Sequence, residues 1–280
     1  MNSEAHELPD FENPPVTEVV LMAQFEPLEE MQSAHLGLLW SRYRSRFPKL
    51  EEQPPLPPMA REDLTGKPRP IEVKVEMMST PTAPRLLFIS ESGTELVQVQ
   101  NDRFIANWRR TQEEDVYPRY EHVRGYFEDG FREFLSFVEE EQLGEVSLRQ
   151  CELTYLNQIP AGLGWERFGE IHRVLSVWSD ELVEAIPEPE AASVSLQFLI
   201  PEPGEQARGR MYVDVRPSIR NADQHPLFAM NITARVPGVG GGAAEPLECL
   251  DLAHEWIVRG FAAVTTKEMH EIWGRRDART

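Results

Sequence analysis

The chain has 280 residues, and 41% of them are hydrophobic, which is enough apolar material for one large or two modest domains. It carries 47 acidic against 28 basic side chains, a formal charge of −19. This charge repels polyanions, so it argues against nucleic acid and anionic membranes as bulk partners. No apolar run approaches the roughly 18 residues of a membrane span, and the first residues lack a signal-peptide pattern, so we expect a cytoplasmic protein.

The first half of the chain contains four predicted strands and two predicted helices. VTEVVLMAQF (16–25) has the length and β-branched content of a strand, and apolar residues at helical spacing over 28–47 predict a helix. The proline-rich stretch 53–70 predicts a connector. Strands are then expected over 71–77, 85–90 and 96–104, the last two joined as an antiparallel hairpin.

A second helix is expected after Tyr117-Pro118, because aromatic and apolar residues from Tyr120 to Val138 recur on one face. Four longer strands are predicted by alternation over 146–159, 192–200, 210–218 and 226–236.

A short helix is predicted near 179–186, in the insertion between the first and second of these strands. After the last strand, a long helix carries Leu250, Ala253 or His254, Ile257 and Phe261 on one side. Thr265 with Glu268 fits a capping box that starts a short terminal helix.

This order of elements predicts an α+β fold in which a mostly antiparallel, twisted sheet packs against long helices. Two arrangements fit. One is a helix-grip-like sheet around the C-terminal helix, and the other is two similar αβ halves, 15–115 and 116–280. In both, residues 15–280 form a single domain that follows a flexible N-terminus over 1–14.

Known catalytic and metal motifs are incomplete in this chain. The histidines of 254–255 and 270–271 begin an HExxH zinc motif but lack the second histidine, and the glycines of 238–242 lack the Lys-Ser/Thr of a phosphate loop. Glu72 and Lys74 have the ExK spacing of some metal-dependent nucleases, with Asp63 upstream, yet this spacing is common on exposed strands. We therefore expect no metal and no cofactor. Catalytic residues are not identified, and enzymatic activity is left open, with a non-catalytic role favoured.

One face of the two last predicted strands is rich in hydrogen-bonding groups. If the apolar residues of these strands face the core, alternation places polar residues on the other side. That face either meets water or lines a cavity that orients a polar or anionic ligand. The ligand candidates are Tyr212, Asp214, Arg216, Asn231, Thr233 and Arg235.

Two short stretches interleave aromatic residues with arginine or amides, as protein interfaces do. They lie in WSRYRSRF (40–47) and LVQVQNDRFIANWRR (96–110). The alternative is a solvated helix face for the first stretch and an ordinary strand with a turn for the second. The interface candidates are Trp40, Arg42, Arg46, Gln98, Gln100, Asn107, Trp108 and Arg109.

Several segments together resemble a sporadically distributed bacterial family of uncharacterised conserved proteins of about this length. They are PPVTEVVLMAQFEPL, LVQVQNDRFIANWRR, TYLNQI and FAAVTTKEMHEIWGR. The resemblance implies no activity or site residue, because the family has none assigned. A sporadic distribution implies an accessory role, such as a defence or toxin-antitoxin cassette with a partner encoded alongside.

The leading hypothesis from the sequence is therefore a non-catalytic module that binds another protein. The alternative is a small-molecule-binding or enzymatic cavity over the polar face of the C-terminal strands. Oligomeric state is left open.

Overall fold

The computed structural model describes residues 8–64, 84–179, 187, 189–202, 207–240 and 245–276. The strands are β1 (Asp10–Phe11), β2 (Val16–Phe25), β3 (Lys49–Gln53), β4 (Arg85–Ile89), β5 (Glu95–Gln100), β6 (Arg103–Arg109), β7 (Leu148–Pro160), β8 (Val194–Ile200), β9 (Gly209–Ile219), β10 (Pro226–Pro237) and β11 (Arg275–Arg276). The helices are α1 (Ser33–Tyr43), α2 (Tyr120–Glu140), α3 (Glu245–Val264), α4 (Lys267–Ile272) and a 3₁₀ helix (Phe168–Arg173).

Nine of these strands form one sheet in the order β3-β4-β5-β6-β2-β7-β10-β9-β8. Every neighbouring pair is antiparallel, and β1 pairs with β11 in a separate two-stranded sheet. The α+β class with a mostly antiparallel sheet is thus confirmed.

The central pair of the sheet is β2 and β7, and the connectivity is the same on both sides of it. On one side β6, β5 and β4 follow outward from β2, and on the other β10, β9 and β8 follow outward from β7. Each set is followed in the chain by a long helix, α2 or α3, which packs against the inner strands of its own set.

The helices cover one face of the sheet, where the core lies. Alternation places Leu21, Phe104, Leu153 and Ile232 on this face, and all are at most 1% exposed. Phe104 alone packs against three rings of α2, with centroids 5.5 to 5.6 Å apart. The aromatic stripe predicted for this helix is therefore core.

Helix α3 lies very close to β9 because it carries glycine at the contact. A Cβ built on Gly260 would lie 2.6 Å from the terminal methyl group of Met211, so a larger residue would require the Met211 side chain to move. No helix in the described parts of the chain has the length and apolar character needed to cross a membrane.

The opposite face of the sheet is polar, and residues 54–64 cross it from β5 to β9. We call this segment the strap. Its carbonyl and amide groups bond in turn to Gln100 of β5, Arg103 of β6, Gln24 of β2 and Gln150 of β7. It ends at β9, where Arg210 donates to the carbonyl of Asp63 at 2.8 Å.

The hydrogen-bonding groups of the strap and of the sheet face are complementary. Prolines have no N–H group, so a proline-rich segment offers mainly carbonyl acceptors. The sheet supplies the donors from glutamine and arginine side chains that are almost completely buried, among them Gln24 at 1% and Gln150 at 0% exposure. The described part of the predicted connector, residues 53–64, is thus bound to the sheet at several points and is not a free loop.

Several local predictions need correction. Helix α1 begins at Ser33, later than expected, and β3 was not predicted because KLEEQ carries three charged residues. The N-cap of α4 is Thr266, whose hydroxyl accepts from the Met269 amide, because Thr265 instead donates to the Phe261 carbonyl.

Part of the N-terminus also differs from the flexible segment expected over 1–14. Phe11 of β1 is only 5% exposed, because its ring packs against Phe261. The strand predicted over 71–77, with Glu72 and Lys74, lies outside the described residues, as does most of the helix predicted near 179–186.

Candidate functional site

A pocket of about 390 Å³ lies on the helix side of the sheet, where α2 begins and the middle of α3 passes over β7 and β10. Residues 8–16 form its outer wall. Its volume is within the range of about 300–1,000 Å³ that is usual for small-molecule sites. Most of the lining is apolar, with contributions from Leu8, Phe11, Val16, Ile232, Ile257 and Phe261.

The outer wall is held in place by contacts to three parts of the chain. The Phe11 ring lies 5.2 Å from that of Phe261, and the Glu12 amide donates to the Gly274 carbonyl at 3.0 Å. Arg119 donates to the Phe11 carbonyl at 2.9 Å. Arg119 has a φ of 77°, which is unusual for a residue with a side chain, and this sharp turn starts α2 at the pocket rim.

Polar groups converge at one place in this apolar lining. The hydroxyls of Tyr117 and Tyr155 are 2.9 Å apart, and the Tyr155 hydroxyl is 3.0 Å from Nδ1 of His254. The His254 ring stacks on Tyr120, with centroids 3.8 Å apart and planes at 5°. Asn157 lies beside them on β7, and its amide donates to the Met230 carbonyl at 3.1 Å.

Two helices meet at this cluster through an ion pair. Arg124 of α2 donates to both oxygens of Asp251 on α3, at 2.7 and 2.9 Å, and the Tyr120 hydroxyl donates to the same carboxylate at 2.9 Å. Such a two-pronged contact fixes orientation as well as distance. The rings of Tyr120 and His254 are therefore held in register between the helices.

The polar cluster is uncharged at neutral pH. Burial lowers the pKa of His254 to about 4, against the opposing effect of Glu121 and Asp251. Burial also raises the pKa of Tyr117, Tyr120 and Tyr155 above their usual range. Neutral hydroxyl, imidazole and amide groups thus face an apolar space.

This arrangement suits hydrogen bonding better than acid–base catalysis. An efficient general base has a pKa near the working pH, and the pKa of His254 is far below neutral pH. Of the lining residues that the structure describes, none is serine, threonine, cysteine or lysine. Across the described ranges, no group of three or more His, Cys, Asp or Glu side chains is placed to hold a metal ion.

The ligand candidates predicted on β9 and β10 lie on the other face of the sheet, partly under the strap. Glu62 of the strap accepts from Tyr212 and from Arg210, both at 2.8 Å, and lies 3.8 Å from Arg235. Arg235 also pairs with Glu152 at 2.6 Å.

The other candidates on this face are less enclosed. Thr233 bonds to Thr154 at 2.9 Å, Asn231 and Asp214 are cross-strand neighbours, and Arg216 is exposed. The chain itself thus occupies the most buried part of the predicted ligand face.

The interface candidates on α1 make contacts within the chain. Trp40 is half-buried and donates to the Phe47 carbonyl at 3.2 Å. Arg42 pairs with Glu133 and Glu140 of α2. The exposed Arg46 pairs with Glu95 at 3.0 Å and lies over the Tyr126 ring.

The candidates on β5 and β6 are more deeply placed. Gln98 and Asn107 belong to a chain of side-chain hydrogen bonds that runs from Arg85 to Glu18, with steps of 2.8, 2.7 and 2.6 Å. Gln100 holds the strap.

The other two residues of this group lie at the end of β6. Trp108 is 4% exposed and packs on Tyr117, and Arg109 donates to the Gly93 carbonyl at 3.1 Å. The LVQVQNDRFIANWRR motif is therefore two strands and a turn whose side chains are largely used inside the fold.

The pocket residues were absent from the sequence-based candidates. A usable signal existed, because Tyr155, Asn157 and His254 occupy core-facing positions of otherwise apolar patterns. A hydrogen-bonding side chain at such a position needs a partner or a ligand. No match to this chain is found among protein-family models, curated proteins or solved structures. The resemblance to an uncharacterised bacterial family therefore stays a prediction.

Proposed function

We propose that the chain is a binding protein for a small, neutral, mainly apolar molecule that carries a hydroxyl or carbonyl group. The observation that carries the proposal is the uncharged Tyr117–Tyr155–His254 cluster inside an otherwise apolar pocket of about 390 Å³. Pockets of this kind use apolar walls for affinity and a few converging polar groups for orientation.

Two features support a neutral ligand. At the rim, Arg119 pairs with Asp10 at 3.1 Å, and the third charged lining residue, Glu121, is exposed to solvent. Inside, no hydrogen bond to Nε2 of His254 or Oδ1 of Asn157 occurs within the described residues. A ligand with one donor and one acceptor would satisfy both atoms without bringing a charge into the apolar space.

The cytoplasmic location expected from the sequence belongs to this proposal. Cys151 and Cys249 are both free and buried, which suits a reducing compartment. A role in a defence or toxin-antitoxin cassette stays a prediction from the family resemblance alone.

Binding of the neutral dye Nile red tests the pocket. Val258 lines it and is only half-buried, so Val258→Trp fills the space without disrupting the core. We expect saturable binding to the unmodified chain and at least a roughly tenfold weaker affinity in Val258→Trp, a loss of about 1.4 kcal/mol. Fluorescence titration measures both.

The matched control is Val177→Trp, which adds the same ring at a position that is 50% exposed and outside the pocket lining. This variant should bind the dye as the unmodified chain does. Equal affinities for Val258→Trp and Val177→Trp would contradict the proposal. If Val258→Trp binds more weakly as expected, native mass spectrometry of protein purified from cells can identify the natural ligand as a retained small mass.

A further inference from the structure

The two edges of the nine-stranded sheet differ in chemistry. At one edge, β3 carries Lys49, Glu51 and Glu52, and such charges discourage another strand from pairing there. At the other edge β8, of sequence VSLQFLI, has 7 residues without a charge or a proline. Edge strands of this type are templates for a further strand.

Strand β8 also exposes apolar side chains on both faces of the sheet. Phe198, on the helix side, is 40% exposed, and Leu199, on the polar side, is 44% exposed. Leu196 is only half-buried against the core. Among the described strands, none pairs with the outer side of β8. An added strand would cover these side chains and would also pair the backbone groups on that side.

We infer that this edge binds the β8 strand of a second copy of the chain, antiparallel, with the two-fold axis at Gln197. Around that centre the strand is self-complementary. Val194 faces the partner's Ile200, and Leu196 faces the partner's Phe198 on the helix side. On the polar side the two Gln197 amides meet, and amides can donate to and accept from each other.

Charge favours this occupant over others. A chain with a formal charge of −19 repels its own copies, so a self-contact must form where the surface is uncharged, and β8 is such a place. A partner selected by charge would instead require charged residues along the edge. The antiparallel two-fold contact is also closed, so it gives a dimer and not a fibre.

The dimer should be weak, because two strand edges bury less than the roughly 1,600 Å² of a standard interface. Sedimentation velocity over a micromolar concentration series tests it. We expect a reversible monomer–dimer equilibrium that strengthens with salt, since salt screens the general repulsion between the acidic copies.

The position of the two-fold axis is tested by placing charges at Gln197, which is exposed. Gln197→Lys and Gln197→Glu each place like charges opposite one another, so each should weaken dimerisation by roughly tenfold. An equimolar mixture of the two variants should restore it as a heterodimer. Circular dichroism checks that both variants fold.

The matched control is Leu50→Lys on the β3 edge, a 40% exposed position, which should leave the equilibrium unchanged. A chain that stays monomeric at every concentration would overturn the inference. So would a dimer that both Gln197 variants leave intact, or a mixture of them that fails to recover. None of these results bears on Nile red binding, because the pocket lies away from β8.

Discussion

The two faces of the sheet use polar residues in opposite ways. On the strap side, polar side chains are numerous and are bonded to the chain's own backbone, as Gln24, Gln100 and Gln150 are. On the helix side polar groups are few, and those of Tyr155 and His254 face a pocket. Many hydrogen-bonding groups on a strand face therefore do not indicate a ligand site, whereas a few of them in an apolar lining do.

The reason is the requirement that buried polar groups be paired. A proline-rich segment without secondary structure brings carbonyl groups that only side chains can satisfy, and the polar face supplies them. The pocket has no such internal partner across it. Ligand binding should thus depend on the helix side, while stability should depend strongly on the strap side.

The largest expected loss of stability comes from a substitution on the strap side of the sheet. Glu62→Ala removes the acceptor of Arg210 and Tyr212 and leaves the Arg210 guanidinium buried, since its side chain is 11% exposed. Removing one partner of a buried ion pair costs about 3–5 kcal/mol. We expect the free energy of unfolding, measured by urea unfolding, to fall by an amount in this range.

Glu52→Ala is the control for that loss, because it removes a carboxylate from the exposed β3 edge. It should change the free energy of unfolding by less than about 0.5 kcal/mol. Glu62→Ala should keep its affinity for Nile red. Similar unfolding energies for the two variants would show that the strap contributes little, and the contrast between the faces would fail.

A smaller effect is expected from pH on the helix side. The unfolded chain protonates His254 near its usual pKa of 6.5, whereas the native chain does so only near 4. Between these values the unfolded state binds the additional proton, so stability falls as pH drops from about 6.5 to about 4 and the loss is constant below that. A shift of this size corresponds to about 3 kcal/mol for this largely buried group.

Unfolding of the unmodified chain and of His254→Gln at several pH values measures this contribution. As the pH falls from about 6.5 to about 4, the unmodified chain should lose stability relative to His254→Gln, because only the unmodified chain has the buried imidazole. His122→Gln shows how much a histidine in an exposed ion pair contributes, because the 48% exposed side chain of His122 lies 2.6 Å from Glu95. Parallel curves for the unmodified chain and His254→Gln would contradict burial of a neutral imidazole.

The sequence predicted those parts of the fold that depend on interactions between residues close together in the chain. The strand Val16–Phe25 was predicted to the residue and the aromatic stripe of Tyr120–Glu140 was recognised, because local periodicity determines them. The charged edge strand Lys49–Gln53 was missed, since an edge needs no apolar alternation.

Local periodicity could not predict the path of the strap or the existence of the pocket. Glu62 meets Arg210 from 148 positions away, and Tyr155 meets His254 from 99 positions away. Single-sequence periodicity carries no information about such pairs. The pocket also needs Phe11, which lies in a segment whose composition resembles a flexible terminus.

The smallest expected effect separates the pocket cluster from an ordinary buried tyrosine. The Tyr155 hydroxyl has two hydrogen-bond partners, Tyr117 and His254, so Tyr155→Phe should cost about 1 kcal/mol of stability and leave both partners less well satisfied. The hydroxyl of Tyr126 is buried and has no hydrogen-bond partner among the residues that the structure describes, so Tyr126→Phe should cost nothing or should stabilise the chain. Thermal unfolding of the two variants measures the difference. The atoms that we propose to contact a ligand are Nε2 of His254 and Oδ1 of Asn157, so both variants should bind Nile red as the unmodified chain does. If Tyr155→Phe and Tyr126→Phe unfold alike, the hydrogen bonds of the Tyr155 hydroxyl contribute nothing to stability.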